Sequence, residues 1–284
     1  MAPLRSRYAL LAVGLTAVLS LAAPPTARAV DLRLPRHVCD ANLFFSGGFE
    51  THWQPQSSGG SGGATGSGQR SVSVPGIGTK SFAYHVPVGA SLPMPTVVVM
   101  HGAAGPGQAM AAASATRNDW IALANAGGFA VLAPIASGAQ GGWVPEVDFP
   151  TLDAVLADAR ASYPLDLTRT YLWGFSAGGH VAHALALLRD PQRYAAYAVS
   201  AGVLDAYAGA SAPSLATRHL PLHISVGSSD SLFPFAQTDR DRFVAAGWVL
   251  GGNLQFVPFS GGHTYGATQL QGIWAGFCPR AVVP

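Results

Sequence analysis

Residues 171–180 read Tyr171-Leu172-Trp173-Gly174-Phe175-Ser176-Ala177-Gly178-Gly179-His180. A short apolar run enters this stretch, an Ala/Leu-rich segment of helical character leaves it, and the pattern G-x-S-x-G lies between. A serine hydroxyl is a poor nucleophile unless it is pushed into the open beside a base, and a tight strand-to-helix turn does this. Such a turn strains the serine backbone, so small residues are needed two positions to either side, and Gly174 and Gly178 supply them. Gly179 then lets the new helix pack closely on a sheet. A chain with 34 glycines could carry this pattern by chance, so its context decides.

Working outward, short β-rich apolar runs alternate with longer helical segments. Strands are expected at 81–86, 96–100, 129–133, 170–173, 197–200, 222–226 and 254–259, and helices at 109–126, 151–162, 178–188, 235–246 and 267–277. Strands without polar alternation, separated by helices, indicate a parallel sheet covered on both faces. The expected fold class is therefore α/β, a mostly parallel, doubly wound sheet with helices on both faces. Ligands in such sheets bind at the carboxyl ends of the strands, and Ser176 stands at one.

A serine nucleophile needs a base, an orienting acid and an oxyanion site. In α/β-hydrolase folds the order along the chain is serine, acid, histidine. Four histidines follow the motif. His183 lies within the helix after the turn, His219 precedes Pro221, and His223 is inside a strand as a packed residue. His263 falls in Phe259-Ser260-Gly261-Gly262-His263-Thr264-Tyr265, a glycine-rich loop between the last strand and the last helix, and is the candidate base. Asp230, in the loop leaving the 222–226 strand, is the leading acid and Asp205 its competitor. Asp239 and Asp241, beside Arg240 and Arg242, read as a solvated helix face. One oxyanion donor is the backbone N–H of Ala177, at a helix N-terminus. The second comes from His101-Gly102-Ala103-Ala104-Gly105 and is assigned to Ala103, with Gly102 as the alternative. His101 shapes this loop rather than acting as base, and together with Trp143 it is a candidate for touching substrate. Trp143 reads equally as a packing residue under the loop, and Trp173 reads as core.

The N-terminal residues stand apart. Arg5 and Arg7 precede an apolar stretch at 8–23, then Pro24-Pro25 and Ala27-Arg28-Ala29, the form of a secretory signal cleaved after Ala29. About 16 apolar residues are short for a bilayer span. Residues 1–29 are thus a leader, and the mature chain is expected in the extracellular or periplasmic space. The whole chain carries 16 basic and 14 acidic residues; without Arg5, Arg7 and Arg28 the balance is 13 to 14. No basic cluster remains to bind nucleic acid. Cys39 and Cys278 are the only cysteines, and an even pair in an exported chain points to a disulfide, with no zinc or redox spacing. Residues 30–56 read as a short appendage with Phe44, Phe45, Phe49 and Trp53 as contact residues. Residues 57–68, SSGGSGGATGSG, read as a flexible linker, and 69–284 as the catalytic domain.

The His-Gly loop at 101–102, Asp119-Trp120 through Gly128-Phe129-Ala130-Val131-Leu132-Ala133-Pro134, the segment from Asp148 through Leu165-Asp166-Leu167-Thr168-Arg169-Thr170-Tyr171, the motif Gly174-Phe175-Ser176-Ala177-Gly178-Gly179-His180 and Gly261-Gly262-His263-Thr264-Tyr265 together resemble secreted polyhydroxybutyrate-depolymerase and feruloyl-esterase-type serine esterases, over residues 80 to 277. The resemblance implies an α/β-hydrolase fold with Ser176, Asp230 and His263 as triad. It implies hydrolysis of polyhydroxyalkanoate-oligomer, feruloyl, acetyl or other short-acyl esters through an acyl-enzyme, with no metal or organic cofactor. Two features depart from it: no second binding domain for a solid polymer is recognisable, and cysteines are sparse. The expected partner is a small or oligomeric ester taken by a monomer, with no nucleic acid and no membrane after leader cleavage. The competing readings are a prolyl-oligopeptidase-like peptidase, for which no propeller-sized region is present, and a non-catalytic secreted binding protein, for which a triad member should be missing.

Overall fold

The computed structural model describes Cys39 and residues 54–282, with the side chain of Asp205 excepted. The expected leader with its cleavage site after Ala29 and the aromatic residues Phe44, Phe45, Phe49 and Trp53 lie outside the described residues.

Eight strands form one sheet in the order β1-β2-β4-β3-β5-β6-β7-β8. They are β1 (Gly66–Val74), β2 (Gly78–Val86), β3 (Met94–Met100), β4 (Ala130–Pro134), β5 (Leu165–Phe175), β6 (Ala196–Ser200), β7 (Leu222–Gly227) and β8 (Leu254–Phe259). The hairpin β1–β2 is antiparallel and joins β4 antiparallel, while β4, β3, β5, β6, β7 and β8 run parallel. The helices are α1 (Ala109–Gly127), α2 (Pro145–Ser162), α3 (Ala177–Ala184), the short α4 (Ala212–Leu215), α5 (Phe233–Ala245) and α6 (Ala267–Phe277). This is the α/β-hydrolase fold expected from the sequence.

Strand periodicity sorts the core onto the two sheet faces. Val98, Leu132, Leu172 and Val199 pack with Leu152, Val155 and Leu156 of α2 and Val181 of α3. Val97, Val99, Val131, Tyr171 and Trp173 face the other way, against Trp120 of α1 and Trp274 and Phe277 of α6. That second layer is aromatic: Trp120 meets Trp173 edge-on at 5.5 Å, and Tyr171 stacks on Phe277 at 5.0 Å. Truncating one such ring costs about 3–5 kcal/mol. The burial of Trp173 is as the sequence predicts.

Residues 57–68 are not a flexible linker. Ser57 pairs with Asp166, Ser58 N–H donates to Leu165 O at 2.8 Å, Gly63 N–H donates to Ser162 O at 2.9 Å, and β1 begins at Gly66. A Cβ at Gly60 would overlap the carbonyl oxygen of Arg160, and one at Gly63 would overlap the Tyr163 ring. These glycines serve close approach to the end of α2, and the ordered body begins before residue 69. Cys39 is disulfide-bonded to Cys278, which follows α6 directly. Two further bonds tie flanking segments to β5: Leu167 N–H donates to Gln56 O and Val282 N–H to Thr168 O, both at 2.8 Å.

Candidate active site

Ser176 lies between the last residue of β5 and the first of α3, with φ 51° and ψ −119°. Few non-glycine residues adopt a positive φ, and the cost is of order 1–3 kcal/mol where they do. The surroundings enforce it. A Cβ at Gly174 would collide with the Gly178 backbone and one at Gly178 with the Met100 and His101 backbones, so strand, turn and helix come into main-chain contact there. The Ser176 N–H donates to Ser200 O at 2.9 Å, fastening the turn to the end of β6.

Asp230 leaves β7 three residues past its end. Its Oδ1 accepts from Leu232 N–H at 2.9 Å, which orients the carboxylate within its own turn. The side chain is fully buried, and Oδ2 accepts from His263 Nδ1 at 2.8 Å. That bond places the imidazole proton on Nδ1 and leaves Nε2 as acceptor for the Ser176 hydroxyl, also at 2.8 Å. The His263 side chain remains 43% exposed, open to the solvent side of the site. The three residues picked by chain order therefore form one continuous relay. Asp205 falls in the Leu204–Ala206 turn after β6. Asp239 is corrected from a solvated residue to a buried one: its Oδ2 accepts from Leu204 N–H at 2.9 Å and its Oδ1 pairs with Arg242.

The loop after β3, where the sequence places the second oxyanion donor, is fixed by His101. His101 Nδ1 lies 2.6 Å from Gly102 O, and its Nε2 accepts from Ala136 N–H at 3.2 Å. The backbone donor at Nε2 fixes the tautomer, so Nδ1–H donates to Gly102 O. Gly102 C=O and Ala103 N–H belong to one trans peptide and point in opposite directions. Pinning the carbonyl to His101 therefore turns the Ala103 N–H away from the imidazole. Among the described residues neither that N–H nor the Ala177 N–H has a hydrogen-bond partner. Gly102 itself packs against Phe175 and Ser176, where a Cβ would lie 3.2 Å from the Ser176 Cβ, so the loop stands directly beside the serine.

His101 and Trp143 are corrected as substrate-touching candidates, because both are buried, at 1% and 5% exposure. The Trp143 indole N–H donates to His101 O at 2.9 Å, its ring lies 5.0 Å from the imidazole, and its carbonyl accepts from Tyr207 OH. It is the floor under the 101–105 loop. Burial lowers the His101 pKa below its ordinary value, keeping the imidazole neutral. The same holds for His180, which the sequence reading passed over although it directly follows Gly178-Gly179. Its backbone N–H donates to Ser176 O, and its Nδ1 accepts from Val203 N–H at 2.8 Å. It thereby ties the turn to the segment after β6, where Ala201 also has a positive φ of 50°. The three remaining histidines after the serine do not enter the site. His183 is buried against Tyr197, His219 stacks on Trp248, and desolvation pushes His183 down to about 3 and His223 to about 4.

No protein-family model matches the chain, and no curated protein does. The fold is shared with solved esterase and hydrolase structures. A thermostable esterase superposes with a TM-score of 0.59 at 15% identity, covering 76% of this chain and 63% of its own. A ferulic acid esterase gives 0.57 at 14%, covering 75% and 96%. An S-formylglutathione hydrolase from Agrobacterium tumefaciens gives 0.57 at 18%, covering 74% and 94%.

Proposed function

We propose that the chain is an exported, monomeric serine esterase that hydrolyses carboxylic esters through an acyl-enzyme on Ser176. The observation that carries this reading is the relay of two 2.8 Å hydrogen bonds from Asp230 through His263 to a serine on a strained turn. In the first half-reaction the Ser176 Oγ bonds to the ester carbonyl carbon and its proton passes to His263 Nε2, while Asp230 stabilises the imidazolium. The carbonyl oxygen becomes an oxyanion facing the free N–H groups of Ala103 and Ala177, the second assisted by the dipole of α3. Collapse breaks the bond to the alcohol oxygen, which leaves with the proton from His263. Water then adds to the acyl-enzyme by the same route and releases the acid and the free serine.

The exposed edge of His263 and the small residues of the 102–105 loop suit a short or flat acyl group. Short-acyl, feruloyl and acetyl esters and hydroxyalkanoate oligomers are the substrates to screen. The Cys39–Cys278 disulfide supports export to an oxidising compartment. The reading is tested with purified protein against p-nitrophenyl acetate and butyrate, followed by that ester panel. Turnover lost in Ser176→Ala is the expected result, and full turnover in that variant refutes it.

A further inference from the structure

His263 sits on a loop with little to hold it. Residues 260–266 contain three glycines and no helix or strand. The first half is fixed from below, since Ser228 N–H donates to Phe259 O and Ser229 N–H to Gly261 O, both at 2.8 Å. Gly227 takes part in this: a Cβ there would overlap the carbonyl oxygens of Gly261 and Gly262. The second half differs. Among the described residues no backbone hydrogen bond joins residues 263–265 to another element; Thr264 N–H bonds only back to Gly262 O.

One side chain supplies the missing attachment. The Tyr265 ring packs edge-on against Trp173 at 4.9 Å and against Phe175 at 4.8 Å, and Phe175 in turn lies 5.1 Å from the His263 ring. The Tyr265 hydroxyl donates to Asp119 Oδ2 on α1 at 2.6 Å, a bond between residues 146 positions apart. We propose that Tyr265 is the positioning residue for His263. Its bond to Asp119, made beside the carboxyl end of the central strand β5, holds the second half of the histidine loop so that Nε2 stays within reach of Ser176. Burial and the neighbouring carboxylate raise the Tyr265 pKa, so the phenol is a neutral donor throughout the working range. A charge-assisted bond of this length is stronger than a neutral one, and a base must be held to within about half an ångström to transfer a proton efficiently.

The inference rests on the serine-esterase reading for its kinetic test, and a spectroscopic test stands apart from activity. Tyr265→Phe, which removes only the hydroxyl, and Asp119→Ala, which removes only the acceptor, are each expected to lower kcat about tenfold with KM within about twofold, since mispositioning a base costs rate rather than binding. The double variant should be no slower than either single one, and Asp119→Asn, which keeps an acceptor oxygen, should restore at least half of kcat. Independently, the imidazole Nδ1–H proton that His263 shares with Asp230 should give a sharp downfield NMR signal in the unaltered protein and a broadened one in Tyr265→Phe. Wild-type kcat in Tyr265→Phe, losses that multiply in the double variant, or equal loss in Asp119→Asn would overturn the proposal. If the unaltered protein hydrolyses no ester, the esterase reading falls, and an unchanged NMR signal in Tyr265→Phe then overturns the positioning role as well.

Discussion

Replacing His101 by alanine tests whether a buried neutral imidazole aims the oxyanion donor. Three contacts disappear together: the 2.6 Å bond to Gly102 O, the acceptor for Ala136 N–H, and the ring packed on Trp143. An orphaned buried N–H costs about 1–3 kcal/mol, and the void left by the ring adds to it, for a total of roughly 2–5 kcal/mol. In a domain of this size that lowers the melting temperature by roughly 5–15 °C. The effect on rate has a separate origin. Deleting one oxyanion donor outright costs about 10²–10³ in kcat. His101→Ala only releases the Gly102–Ala103 peptide to rotate, so kcat should fall about 10–100-fold. KM should barely move, because the donor acts on charge that exists only in the transition state. Both quantities come from p-nitrophenyl butyrate hydrolysis well below the variant's melting temperature, alongside a thermal unfolding curve. A variant with the expected stability loss and kcat within twofold of the parent would refute the reasoning, showing that the peptide is oriented without the imidazole. Since burial keeps His101 neutral, it should also add no step to the pH–rate profile above pH 6.5, the ordinary histidine value.

Other consequences follow from the same geometry. Asp230→Asn should lower kcat by about 10³–10⁴ with the fold intact, because the amide no longer fixes the Nδ1–H tautomer of His263, while Asp205→Asn should leave kcat within a fewfold of the parent; stopped-flow turnover of both variants checks the ranking. Stability should fall on acidification below pH 6.5. His183 and His223 bind protons in the unfolded chain from about pH 6.5 downward but in the folded one only near pH 3 and 4. Two withheld protons give a slope of up to about 2.7 kcal/mol per pH unit near pH 5. Denaturant midpoints against pH should show this limb, shallower by one proton in His183→Phe. Replacing Cys39 and Cys278 by serine should cost up to about 5 kcal/mol in a denaturant titration, since the bridge spans 239 residues.

Where sequence and structure agree, the physical signal was local. The Thr-Val-Val-Val-Met run and the Tyr-Leu-Trp before Ser176 are buried on both faces, so they show no polar alternation and cannot be surface strands. Asp230 and His263 were legible because chain order and strand-end placement leave few other residues able to converge on a serine. The misreadings share one cause: residue type does not say what a side chain touches. The glycines of 57–68 have the composition of a free coil, yet Gly60 and Gly63 are small because Arg160 and Tyr163 lie against them. Most of β1 alternates polar residues on an edge, with only Val72 and Val74 buried. Pro150 hid the first turns of α2, which begin at Pro145, where Asp148 accepts from Val144 N–H at 2.7 Å. Trp143 could face substrate or floor until its indole N–H was placed on the His101 carbonyl. Tyr265 was visible in the motif beside His263, but its partner Asp119 is on the first helix, and nothing local pairs them.

The central claim is that Ser176 alone becomes acylated. Intact-mass and peptide mass spectrometry after brief exposure to a fluorophosphonate, or after acid quench with a slow p-nitrophenyl ester, measures this directly. The account predicts a single adduct on the peptide carrying Ser176, strongly slowed in His263→Ala and absent in Ser176→Ala. An adduct on another residue, or undiminished ester turnover without any adduct, would contradict it.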